Sequence, residues 1–441
     1  MRANALAAVA VAALLMVGGV GGIVQPSAAN TGLSAAQASL PPTDSYVIEQ
    51  GESCHPIEPL STDGTVESFY DYRNHETHPE DVERMYSSYG TEHLQEDDTS
   101  LLFLHEGTDG MSLVMVHDRL DGDTEGGAAT FDIVGLPTEA EWVVQDDLYD
   151  GETNMATWDS GDGWASASWI WSDARTDGGA IQGGLNDQFA VTIQPAFNED
   201  ADHYDNEDLY DPEFHGDGEI EDWEVLSGDV DAPDRTALSL EEPVTIRTGT
   251  CDGPSVTYDR TDDSTTASIE GASTDDRVTL QPTAGTADGV TFETVELTGI
   301  EDSGSVTFED RQPDDLPAAP PEVDSLSSLT ITGDSIQDAP ATVTFSVEAA
   351  LLEEHGLESE DLALYAAEDG EWVEAETTVS DESGTTYQFT AEVDSLASVT
   401  VAEQQPSESE SAIPGFEIGI AVAAIALLTA LWAVRSRNQQ Q

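Results

Sequence analysis

The chain has 441 residues, with 90 Asp and Glu against 12 basic residues and a formal charge of −78; all twelve basic residues are Arg. A field this negative repels phosphate backbones and excludes nucleic acid as a partner. It also self-repels in dilute buffer, but at about 1 M salt the Debye length falls to about 3 Å and most of the repulsion is screened. With 38% hydrophobic residues and 8 Trp, the composition fits a folded protein whose acidic surface is solvated in brine, rather than an acidic disordered chain.

In chain order, Arg2 precedes an apolar region over residues 5–24 and then Ser27, Ala28 and Ala29. This pattern predicts a secretory signal over residues 1–29, cleaved near Asn30 and followed by a linker over 30–44. There is no twin Arg, and no Cys follows the apolar region. Cys54 and Cys251 are the only cysteines. In an exported chain an even count favours a disulfide, which would delimit a β-rich domain over 45–251. Within it, residues 100–106, 111–118, 129–137, 142–146, 189–195 and 243–248 are short, apolar or alternating runs separated by Gly, Asp and Pro, and they predict strands. Residues 77–95 predict the one helix, with Pro79 in its first turn and acids beside it.

Trp142, Trp158, Trp164, Trp169 and Trp171 fall within thirty residues, and Trp223 follows. On a strand, Trp169 and Trp171 share one face while Ser166 and Ser168 share the other. Two readings stand: the tryptophans fill the core of a sandwich, or Trp164, Trp169 and Trp171 form a platform for sugar rings. For a metal, the best acidic loop is 213–224, where Asp217, Gly218, Ile220 and Glu224 match the second half of an EF-hand loop. Asp217, Glu219 and Glu224 are therefore candidate calcium ligands, although Glu213 and His215 break the first half. His75 and His78 lack the spacing and third ligand of a zinc site. No nucleophile elbow, phosphate loop or dinucleotide fingerprint occurs, and no catalytic residue is assigned. Asp146 with Asp147, and Asp222 with Glu224, are carboxylate pairs of the kind that glycoside hydrolysis requires, but in so acidic a chain such pairs also arise on any surface.

After Cys251 a Thr/Ser/Asp-rich stretch predicts a linker over 252–266, and strands resume at 277–281, 290–298 and 305–309. A Pro-rich connector over 313–321 leads to strands at 329–333 and 341–348 and to a short helix over 349–355 stopped by Gly356. Next comes a hairpin over 362–375 with Glu368, Asp369 and Gly370 at its turn and Tyr365 and Trp372 on its strands, followed by a β segment over 387–401. This order of elements over 267–401 resembles the archaeal extracellular domain that precedes a Pro-Gly-Phe sorting signal. Residues 393–398 depart from it in lacking the Gly-Phe-Ser usual before the last strand. The resemblance implies a β-rich, surface-proximal spacer with no known chemistry.

Residues 402–413 form a short stalk that spans about 40 Å when fully extended. Pro414, Gly415 and Phe416 follow, then an uncharged apolar run over 418–434, then Arg435 and Arg437. As a helix this run is about 25 Å long, at the short end of what crosses a bilayer, with the arginines inside. The tripeptide, helix and basic end together resemble the carboxy-terminal signal of haloarchaeal surface proteins processed by an archaeosortase. That resemblance implies that 414–441 is cut near Pro414 and replaced by a lipid. No Asn opens an N-x-Ser/Thr sequon, so N-glycosylation is not expected.

The expected fold is therefore mainly β: two extracellular sandwich-like domains and a carboxy-terminal transmembrane or sorting helix. The expected role is non-catalytic, at the outer face of the cell membrane or in the cell wall. There the protein would contact an envelope glycan or surface protein, with no cofactor unless calcium. The rival readings are an extracellular carbohydrate-active enzyme and a calcium-dependent adhesion protein.

Overall fold

A computed structural model describes residues 45–404, apart from 76, 79–85, 148–155, 205–217, 262–263, 283–288, 310–324, 369–370 and 383–384. The expected signal peptide, stalk end and sorting segment lie outside the described residues. No helix among the described residues is long and apolar enough to cross a membrane.

The protein is mainly β, and its first half is a two-layer sandwich. One sheet runs Ala156–Gly161, Trp164–Trp171, Gly127–Val134, Ala190–Phe197, Val244–Thr248, Tyr46–Gln50, Ser53–Ile57, antiparallel throughout. The facing sheet runs Asp234–Leu238, Asp222–Ser227, Thr99–Gly107, Gly110–His117, Asp177–Gln182, Glu141–Gln145. In it Asp222–Ser227 and the two-residue Leu60–Ser61 both lie parallel to Thr99–Gly107. Alternation sets the layers: Leu102, Leu104, Leu113 and Met115 face the other sheet, whereas Leu101, Phe103, Val114 and Val116 face outward. Outward apolar residues need a cover, and the segment around the helix Val66–Tyr70 supplies it, burying Leu60, Val66 and Tyr70 against them. Thr65 caps that helix by accepting from the Ser68 amide at 3.3 Å.

The expected helix over 77–95 is not what forms in the described part of that stretch. Tyr86 takes a left-handed φ of 61°, and Ser87–Ser88 pairs as a strand with Tyr72–Arg73. The reason is local competition for hydrogen bonds. The Ser88 hydroxyl donates to the Tyr70 carbonyl at 2.6 Å and contacts the Thr91 hydroxyl, while Gln95 Nε2 donates to the Ser88 carbonyl at 2.9 Å. Serine side chains that satisfy the backbone in this way favour turns over helix.

The second half is another sandwich. One sheet runs Ser255–Arg260, Ser264–Ala272, Asp302–Glu309, Ser325–Asp334, Val399–Glu403, Leu362–Glu368, Glu371–Glu374; the other runs Arg277–Leu280, Val290–Thr298, Ala341–Glu348, Thr386–Val393, Glu376–Glu382. The helix Ala349–His355 ends at Gly356, whose φ of 70° closes it as expected. The stretch 252–266, expected as a linker, instead carries the strand Ser255–Arg260 and the start of Ser264–Ala272. Val256, Tyr258, Thr265, Ala267 and Ile269 are buried at alternate positions, while the Ser, Thr and Asp between them are mostly exposed.

Those two strands also join the sandwiches. Tyr258 is 1% exposed, and Val134 and Ala190 of the first sandwich belong to the same core cluster. The Tyr258 amide donates to Thr192 Oγ1 at 3.0 Å, and its hydroxyl accepts from the Gln281 amide at 2.9 Å. Gln281 Nε2 and Thr279 Oγ1 reach Gln188 of the first sandwich at 3.3 and 3.0 Å. Gly135, at φ 81°, lets the ring approach, because a Cβ there would lie 2.5 Å from the Tyr258 ring. Arg260 stacks over Trp164 at 3.7 Å from the ring centroid. Beside this seam Cys54 and Cys251 form the expected disulfide, with a Cα separation of 5.7 Å.

Candidate functional site

The tryptophans are mostly committed to the core. Trp169, Trp171 and Trp223 are at most 1% exposed, and Trp142 and Trp158 are half-buried against the same cluster. Edge-to-face contacts at 4.7 Å between Trp142 and Trp158, and at 5.3 Å between Trp158 and Trp169, tie them together. Of the three platform candidates, Trp169 and Trp171 are sealed inside the sandwich, and half-buried Trp164 has one face covered by Arg260. The structure does not bring the three into one exposed surface.

Inside the same layer, Ser100, His117 and Asp177 stand opposite one another on three adjacent strands, each 0% exposed. Ser100 Oγ lies 2.9 Å from His117 Nδ1. The His117 ring stacks on Trp171 at 5.4 Å, and burial pushes its pKa down to about 3. A serine and histidine shut in this way fill the sandwich interior and are closed to solvent.

At the end of that sheet, Asp146 and Asp177 are 0% exposed and Asp147 is 6% exposed. The Tyr70 hydroxyl donates to Asp146 Oδ2 at 2.9 Å; the Tyr72 hydroxyl donates to Asp147 Oδ1 at 3.2 Å and accepts from the Asp147 amide at 2.9 Å. Among the described residues, Asp146 Oδ1 and Asp177 Oδ2 are buried without a hydrogen-bond partner. Burial first, and then the neighbouring carboxylates, raise Asp146 and Asp177 well above the usual carboxylate range. Burial likewise lifts Asp147 to about 7, against the pull of the Tyr72 hydrogen bond and the Arg175 charge. The pair Asp146–Asp147 thus exists, but behind tyrosines rather than across an open substrate groove. Among the described residues no group of three or more His, Cys, Asp or Glu is arranged to hold a metal ion.

The other expected sites resolve individually. Glu224 lies in the strand Asp222–Ser227 and accepts from Arg235 at 2.5 Å, so its carboxylate is engaged outside any loop. Glu219 is exposed, and Asp217 lies outside the described residues. His75 meets the Tyr86 hydroxyl and His78 meets the Asn74 carbonyl, which points the two rings to different partners.

The open site lies at the seam, where a cleft of about 640 Å3 runs between the two sandwiches beside the disulfide. One wall is the ladder Ser255–Glu270, Thr257–Ser268 from the first two strands of the second sandwich. The facing wall carries Thr192, Gln194 and Thr245, with Glu49 and Glu52 at one end. Glu49 is held by Arg247 Nη2 at 2.6 Å and by the Ser255 hydroxyl, so it is already neutralised. This cleft is not legible in the sequence because Ser255 and Thr257 of one wall lie in the stretch expected as a linker, and only pairing brings Ser268 and Glu270 beside them. Asp177, Tyr70 and Tyr72 escape for a similar reason: strand pairing brings Asp177 beside Asp146, and the packing of the segment around the helix Val66–Tyr70 brings the tyrosines. Comparison with known protein families, with curated proteins and with solved structures returns no match.

Proposed function

We propose that this is a non-catalytic, envelope-binding module of a halophilic archaeon. It is exported, sorted through Pro414, Gly415 and Phe416 by an archaeosortase, and held at the outer membrane face. The observation that carries the reading is the contrast between the two kinds of polar site. The groups suited to acid–base or nucleophilic work, Asp146, Asp177, Ser100 and His117, are each 0% exposed, whereas the open cleft holds hydroxyls and carboxylates on a fixed seam. Clefts at domain junctions are a common location for ligands. A disulfide between Cys54 and Cys251 is in keeping with an oxidising compartment.

Protein extracted from native membranes in molar NaCl is expected to be retained on envelope ghosts or insoluble polysaccharide without releasing reducing sugar. Release of sugar that disappears in Asp146→Asn would establish the rival enzyme. The intact mass of the same sample tests the anchor. It is expected to start near Asn30, to end near Pro414 with an added lipid, and to gain two hydrogens on reduction. A mass that retains residues 418–441 would show a plain membrane helix instead.

A further inference from the structure

We infer that the cleft between the sandwiches binds neutral polyhydroxylated ligands, a glycan segment in chemical terms, and rejects sulfated or uronate-bearing ones. The inference rests on the envelope-binding reading above and names its ligand class. Its volume of about 640 Å3 falls within the roughly 300–1,000 Å3 of typical small-molecule sites. Thr257 and Ser268 are exposed, face each other in register and can each donate or accept. Glu52 and Glu270 are exposed acceptors for sugar hydroxyls, and charge-assisted bonds of that kind are the stronger class.

None of the described residues that line the cleft is basic, and two arginines close in the chain to lining residues are turned to other partners. Arg247, 3% exposed, is bound to Glu49 and to the Thr250 carbonyl, and Arg260 lies over Trp164. An anionic sugar would therefore be desolvated against Glu49, Glu52 and Glu270 with no cation among the described lining residues to receive it, a cost that salt outside the cleft does not remove. The walls are fixed in advance by the disulfide and by Tyr258, so little ordering is required on binding.

The test uses the full protein in molar NaCl with glucose-, mannose- and galactose-based oligosaccharides and their sulfated or uronate counterparts, read by calorimetry. Thr257→Val with Glu270→Gln is the cleft variant; both residues are exposed, and an unchanged circular dichroism spectrum confirms its fold. The expected result is binding of at least one neutral oligosaccharide, no binding of its anionic counterpart, and at least a tenfold loss of affinity in the cleft variant. Equal or tighter binding of the anionic sugars, or an unaffected cleft variant, overturns the inference. Failure of every neutral sugar while envelope ghosts still retain the protein overturns the glycan assignment and leaves the envelope reading standing. Binding of neutral sugar by protein that ghosts do not retain upholds the cleft and counts against the envelope.

Discussion

Asp146→Asn, combined with Asp177→Asn, is expected to flatten the decline of stability with rising pH. Both carboxyls are raised well above the usual range, so the folded state keeps protons that the unfolded chain releases near pH 4. Between the unfolded value and the folded one, the native state binds more protons. Stability is fully present below the unfolded value and falls as pH rises, by about 1.4 kcal/mol per pH unit for each carboxyl. Asp147, lifted to about 7, extends that window towards neutrality. His117 acts in the opposite sense: depressed to about 3, it contributes stability above its unfolded value that is lost on acidification. The informative quantity is therefore the double variant minus the wild type, measured by denaturant unfolding in molar NaCl from pH 4 to 7. The asparagine oxygen can still accept from Tyr70, so the native hydrogen bond survives. A difference that grows by about 2–3 kcal/mol per pH unit is expected. A flat difference would mean that both carboxylates ionise in the folded protein.

Breaking the Cys54–Cys251 bond is expected to be the largest single loss. The cysteines are 197 residues apart, and the chain-entropy relation assigns a closure of that length about 5 kcal/mol, an upper figure because unfolded chains keep some structure. For a domain of this size that corresponds to a drop of up to roughly 10–20 °C in Tm. Cys54→Ser with Cys251→Ser, followed by calorimetry under argon, checks it. The hairpin of Tyr46–Gln50 with Ser53–Ile57 should loosen first, since it is the edge of its sheet and the bond ties it to the seam. An unchanged Tm would show that Tyr258 and the Gln188 contacts alone hold that edge.

What the sequence reveals here depends on range. Strands such as Gly110–His117 and Ala341–Glu348 are readable because alternation and turn residues are local signals, and the helix ending at Gly356 because its cap is local. Two cysteines leave one intramolecular pairing, which the structure contains. The strand Ser255–Arg260 escapes because only Val256 and Tyr258 carry its alternation amid Ser, Thr and Asp, which read equally well as a linker. The serines at 87 and 88 defeat helix prediction because the Ser87 hydroxyl accepts from the Thr176 amide and the Ser88 hydroxyl donates to the Tyr70 carbonyl, backbone that lies elsewhere in the chain. Among 90 acids nothing marks Asp177; its meaning comes from standing beside Asp146, 31 positions away.

The strand Tyr46–Gln50 pairs on one side with Ser53–Ile57 and on the other with Val244–Thr248. Its second neighbour is thus made almost 200 residues later. A chain emerging amino end first cannot complete this sheet until its last strand has been delivered, and pairings so distant in sequence are slow to form. Throughout that interval Leu102, Leu104, Leu113 and Met115, which face this sheet, lack the part of their cover that Val244 and Ile246 supply. Acids such as Glu106 and Asp109, set close to these residues, then act as solvated breaks in the apolar runs, the kind of residue that limits association of a half-made sandwich.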